Sequence, residues 1–72
     1  MTLKELYDEQ FSNVGYIGVC ETDENDNVKP IYPEYADEFL ETNGDMEVKG
    51  YCYSKKHDCL VVTADESINF KQ

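Results

Sequence analysis

Arginine and tryptophan are absent from this 72-residue chain, and basic residues are scarce altogether. Six lysines stand against 16 aspartates and glutamates, so the formal net charge is −10. A surface of this sign repels phosphate backbones and anionic lipid headgroups, which argues against direct binding to nucleic acid or membranes. The natural complement is a basic protein, including one that itself binds nucleic acid. The same acidity also fits a role in solubility alone.

Further absences narrow the class of protein. The chain has no apolar run long enough to span a bilayer, and its first residues lack the features of a signal peptide. Three cysteines is an odd number, which disfavours a closed disulfide framework and favours free thiols in a reducing cytoplasm. We therefore expect a soluble, cytoplasmic chain that forms one domain over residues 1–72.

Hydrophobic residues make up 40% of the chain, enough for a small folded core. Thr2 and Glu5 form a capping-box pattern before an apolar helical stripe, which predicts a helix. Alternating apolar residues and Asn/Asp/Gly turn signals predict strands, and Pro30 makes the second strand irregular or an edge. The predicted elements are a helix over 3–11, strands over 15–22 and 28–32, a helix from 33 or 34 to 42, and hairpin strands over 46–53 and 59–64, with a weak strand at 68–70.

The order α-β-β-α-β-β predicts an α+β fold. We expect a two-layer sandwich in which two helices cover one face of an antiparallel four-stranded sheet. In the hairpin, symmetry about Lys56-His57 places Cys52 opposite Val61 and Ser54 opposite Cys59.

The second predicted helix separates charge from apolar surface. At about 100° per residue, one sector holds only carboxylates and the opposite sector holds Tyr35, Ala36, Phe39 and Leu40. Like charges four residues apart cost a few tenths of a kcal/mol, roughly, so selection for stability alone would intersperse lysine. A solvated helix face without a partner is the alternative. The predicted partner-binding residues are Glu34, Asp37, Glu38, Glu41, Asp45, Glu47 and Tyr35.

A calcium loop is one candidate metal site. Asp23, Asn25, Asn27 and Glu34 fall at ligand positions of a twelve-residue loop, but Val28 stands where the loop needs glycine. An acidic β-turn is therefore the better interpretation.

A soft-metal site is the second candidate. Cys52, His57 and Cys59 are close in sequence, with Cys20 as a fourth ligand, but they form no C-x-x-C knuckle. Cysteine in a half-buried strand is usually a small hydrophobe. We expect no metal and no cofactor. Because the chain also lacks a phosphate loop and a supported Cys-His dyad, we expect no catalysis.

In size, acidity and architecture the chain resembles small phage-encoded inhibitors: anti-CRISPR proteins, anti-restriction proteins and uracil-DNA glycosylase inhibitors. The segment Glu34 to Glu41 and the turn Asp23 to Asn27 carry the resemblance, without a diagnostic motif. It implies a stoichiometric inhibitor that mimics nucleic acid and occludes a basic surface of a host protein. Two alternatives stay open: a self-associating accessory domain, for instance a homodimer, and a Cys/His metal-binding domain.

Overall fold

The structure, a computed structural model, describes residues 1–68. It contains helices α1 (Leu3–Gln10) and α2 (Ala36–Asn43) and strands β1 (Tyr16–Val19), β2 (Glu34–Tyr35), β3 (Gly50–Ser54) and β4 (Cys59–Thr63). The strands form one sheet in the order β2-β1-β4-β3. The α+β class, the two helices and the four strands are confirmed. The weak strand predicted over 68–70 lies almost wholly outside the described residues.

The sheet is mixed, so the predicted all-antiparallel sheet is wrong. β1 pairs antiparallel to β2 and β3 pairs antiparallel to β4, but the two central strands, β1 and β4, run parallel. Strand β4 is an almost unbroken apolar run, Cys-Leu-Val-Val-Thr, and four of its five residues are buried. Such runs are typical of central strands that are covered on both faces.

The second strand lies later in the chain than predicted. The pairing of β2 joins Tyr16 to Tyr35 and Ile17 to Glu34, whereas Val28 forms only an isolated bridge with Thr22. Pro30 and Pro33 have no amide hydrogen to donate to a ladder. Pairing with β1 therefore begins only after the second proline.

Both helices begin where local chemistry permits. The backbone N–H of Glu5 donates to Thr2 Oγ1 at 3.2 Å, and the backbone N–H of Thr2 donates to Glu5 Oε1 at 3.0 Å, which confirms the capping box. Helix α2 begins at Ala36 rather than at residue 33 or 34, because the two preceding residues belong to the sheet. Its first residue has no side-chain cap.

The core lies between the helices and one face of the sheet. Its buried members from α1, α2 and the central strands are Leu3, Leu6, Ala36, Phe39, Ile17, Leu60 and Val62. The predicted hairpin register is confirmed, with Cys52 opposite Val61 and Ser54 opposite Cys59. Strand β3 begins only at Gly50, because the preceding residues run beside the start of the chain, where the N–H of Leu3 donates to the Met46 carbonyl at 2.8 Å.

The opposite face of the sheet, called here the outer face, carries Gly18, Cys52, Cys59 and Val61. The long connection between β1 and β2 covers part of it. A Cβ added to Gly18 would lie 2.6 Å from Cγ2 of Ile31, so this connection packs directly on the β1 backbone. Cys52 and Val61, on the β3 side, are only half-buried.

Candidate functional site

The acidic ridge consists of Glu34, Asp37, Glu38 and Glu41, which β2 and α2 present on the surface. All four residues are exposed. Within residues 1–68, the ion pairs involve Glu21, Glu47 and Glu66, and none involves a member of the ridge. The opposite side of α2 places Ala36 and Phe39 in the core. The ridge is therefore a set of unneutralised carboxylates on a packed scaffold.

The ridge is not arranged for helix stability. Asp37 and Glu38 lie in the first turn of α2, where negative charge favours the helix dipole. Glu41 lies near the other end, where the dipole disfavours a carboxylate, and the last turn contains no basic residue. Glu41 also follows Asp37 at a spacing of four, a repulsive pair.

The acidic surface continues from α2 onto α1. Burial raises the pKa of Tyr7 above its usual value of 10.0, and the charges of Asp37 and Asp8 raise it further. Carboxylates from both helices therefore act on one hydroxyl. Sequence reasoning missed Asp8, although the polar positions of α1 carry Glu5, Asp8 and Glu9, a signal as plain as that of α2.

Tyr35 is exposed, and its predicted place in the apolar core stripe is wrong. It belongs to β2 rather than to the helix, so its side chain is not directed by the helical period. Its ring stacks on that of Tyr16, with centroids 5.4 Å apart and an angle of 26° between the planes. Even so, 62% of the residue stays exposed. The pair is an aromatic surface held in place by strand pairing.

A groove of about 450 Å³ adjoins this aromatic pair, between the end of α1 and the start of α2. Its lining includes Tyr7, Val14, Tyr35, Asp37 and Glu38, and no basic residue of the described chain lines it. The groove thus combines apolar and aromatic walls with two carboxylates.

The two remaining predicted binding residues differ in their surroundings. Asp45 is exposed just beyond α2. Glu47 is exposed too, but its Oε1 accepts a hydrogen bond from the ammonium of Met1 at 2.9 Å. This contact lowers the pKa of Glu47 below its usual 4.5. Glu47 is therefore partly neutralised, unlike the acidic ridge.

The three cysteines are free thiols, and Cys20 and Cys59 are buried. Burial raises the pKa of the Cys59 thiol above its usual 9.0, which favours the unreactive protonated form. Over residues 1–68, no group of three or more His, Cys, Asp or Glu side chains is placed to hold a metal ion. Cys52, His57 and Cys59, predicted as metal candidates, are thus not gathered into a ligand set.

A comparison with protein-family models finds no match, and no curated protein or solved structure is significantly similar to this chain. In the part of the chain that the structure describes, neither helix has the length and apolar composition needed to cross a bilayer. We therefore infer function from the residues of this chain alone.

Proposed function

We propose that this chain is a non-catalytic inhibitor, encoded by a phage or mobile element, that binds a basic host protein and occludes its nucleic-acid-binding surface. The observation that carries this proposal is the acidic ridge, whose carboxylates are exposed and lack lysine partners among residues 1–68. A groove that binds phosphates would accept the ridge as a run of anionic oxygens. The resemblance to small acidic phage inhibitors is consistent with this mechanism.

Rigidity supports the same proposal. α2 packs through Phe39 against the core, and β2 pairs with β1, so the ridge carboxylates are anchored at their backbones. An anchored set of charges loses less conformational entropy on binding than a flexible acidic tail. Long-range attraction between the net charge of −10 and a basic surface should give fast association that weakens as salt screens it.

The test begins with capture of partners from a bacterial lysate at low salt. The captured protein is then purified, and its affinity for the chain is measured against NaCl concentration. We expect affinity to fall steeply with salt and the captured protein to lose its nucleic acid when the chain is added. Binding that is insensitive to salt, or a partner that keeps its nucleic acid, would contradict the proposal.

Two variants of equal net charge make the test specific to the ridge. Glu34→Gln/Glu38→Gln/Glu41→Gln removes three ridge charges, and Glu9→Gln/Glu24→Gln/Asp26→Asn removes three exposed charges elsewhere. The ridge variant should lose at least about tenfold in affinity, since hydrogen bonds to charged groups contribute about 1.5–3 kcal/mol each. The control variant should lose much less. Equal losses would mean that only total charge matters.

Self-association is a second candidate, favoured by the open edge of β3. β3 has one neighbour in the sheet, and Cys52 beside it is half-buried on the outer face. Exposed Lys49, Lys55 and Lys56 flank this strand and oppose pairing with an identical edge. Light scattering over a range of concentrations tests the hypothesis, and a strict monomer would remove it.

A further inference from the structure

We infer that the stacked pair Tyr16–Tyr35 and the groove beside it form an anchor for an arginine side chain of the partner. The inference rests on the proposed function, and it adds which basic residue the chain selects. The anchor comprises Tyr35, supported by Tyr16, with Asp37 and Glu38 in the adjoining groove.

Three observations favour a guanidinium as the occupant. First, Tyr35 is 62% exposed while Tyr16 supports its ring, so an aromatic surface is available without rearrangement. Second, Asp37 and Glu38 line the adjoining groove, and no basic side chain from residues 1–68 lines it with them. Third, the groove, at about 450 Å³, has room for a long side chain.

Arginine fits this combination better than lysine. A planar guanidinium stacks on an aromatic ring and donates two parallel hydrogen bonds to a carboxylate. An ammonium is a compact, strongly hydrated point charge that gives up its water less readily. The apolar and aromatic lining, with Tyr7 and Val14 beside Tyr35, therefore favours the more weakly hydrated cation.

The test compares two probes of equal charge, deca-arginine and deca-lysine, by calorimetry at one low salt concentration. The wild-type chain should bind deca-arginine about two- to fivefold more tightly, the range expected of an exposed cation–π contact. Tyr35→Leu should bring the two affinities together and leave deca-lysine binding nearly unchanged. Tyr35→Phe keeps the ring and should keep the preference. Equal affinities in the wild type, or a preference that survives Tyr35→Leu, would overturn the inference.

The ridge variant separates this inference from the proposed function. Glu34→Gln/Glu38→Gln/Glu41→Gln should weaken binding of both peptides. If both weaken while the wild type binds them equally, the arginine anchor is wrong and the acidic binding surface stands. If neither weakens, the acidic surface itself fails. Amide chemical shifts give a readout that requires no variant: deca-arginine should perturb Tyr35, Asp37 and Glu38 most. Perturbation centred instead on the turn at 23–27 would also overturn the anchor.

Discussion

At the scale of single residues, Asp58 joins parts of the sheet that are distant in sequence. Its Oδ2 accepts a hydrogen bond from the backbone N–H of Gly15 at 3.0 Å, and its Oδ1 accepts one from the Tyr53 hydroxyl at 3.0 Å. The second bond raises the pKa of Tyr53 above its usual 10.0, because it favours the protonated phenol. Asp58 also has a φ of 49°, a left-handed conformation that aspartate and asparagine tolerate best.

We therefore predict that Asp58→Ala lowers the free energy of unfolding by about 1–3 kcal/mol. The substitution leaves the Gly15 N–H without its acceptor and places alanine in a strained conformation. Asp58→Asn keeps an acceptor and the tolerated φ, so most of the stability should remain. Urea unfolding measures both effects.

Asp26→Ala is the matched control for Asp58→Ala, because Asp26 also has a positive φ, 62°, but lies in an exposed turn. It should cost less than Asp58→Ala. Equal costs would assign the whole effect to backbone conformation and none to the bridge. This bridge could not be predicted from sequence, since Gly15 and Asp58 are 43 positions apart.

At the scale of elements, the sequence predicts what local signals determine. The capping box and apolar spacing predict α1, and the turn between β3 and β4 predicts the hairpin and its register. The order of the strands depends on which apolar surfaces meet, and no local pattern encodes that. The unbroken apolar run of β4 was nevertheless a usable signal for a central strand.

The candidate site divides in the same way. A helical period and a count of charges were enough to predict the exposed acidic ridge. The groove and the stacked tyrosines depend on β2, whose pairing with β1 brings Tyr35 onto Tyr16. Because that strand was expected at 28–32, Tyr35 was assigned to a helix, and its aromatic neighbour could not be foreseen.

The connection between β1 and β2 supplies a prediction at this scale. Gly18 is buried, and a Cβ there would come within 2.6 Å of Cγ2 of Ile31. Gly18→Ala should therefore lower the free energy of unfolding by about 1–3 kcal/mol, the usual cost of overpacking. Ile31→Ala removes the clashing methyl group. The double variant should then cost less than the sum of the two single costs, measured by urea unfolding. Additive costs would show that Ile31 does not hold the connection on the sheet.

Helix α1 gives a prediction about pH. Hydrogen bonds from Thr2 lower the pKa of Glu5 below its usual 4.5, so the folded state favours the carboxylate. The stabilisation is therefore present above pH 4.5 and is lost as pH falls through the lowered pKa. Glu5→Ala should destabilise the protein at pH 7 relative to Glu9→Ala, which removes an exposed charge from the same helix. The difference between the two variants should vanish by about pH 2, measured by thermal unfolding. A difference that does not change with pH would exclude a contribution from the Glu5 charge.

At the scale of the whole molecule, one charge distribution has opposite effects on folding and on binding. A net charge of −10 on 72 residues disfavours the compact state by self-repulsion, and it attracts any basic partner. Salt screens both effects, because the Debye length falls from about 30 Å at 0.01 M to about 8 Å at 0.15 M. Added salt should thus raise the melting temperature while it weakens partner binding.

Glu41 allows the two effects to be separated within one residue. Glu41→Gln removes a charge that opposes the dipole of α2 and repels Asp37, so it should stabilise the fold by about 0.3–1 kcal/mol at low salt. Glu9→Gln is its counterpart near the end of α1, four residues after Glu5, and should stabilise by a similar amount. Only Glu41→Gln should weaken binding to the captured partner, because Glu9 lies outside the acidic ridge. Melting temperatures and affinities of the two variants test this together. If both bind as well as the wild type, the ridge carboxylates serve solubility alone. If Glu41→Gln destabilises the fold, its carboxylate is held by the chain itself and is not free for a partner.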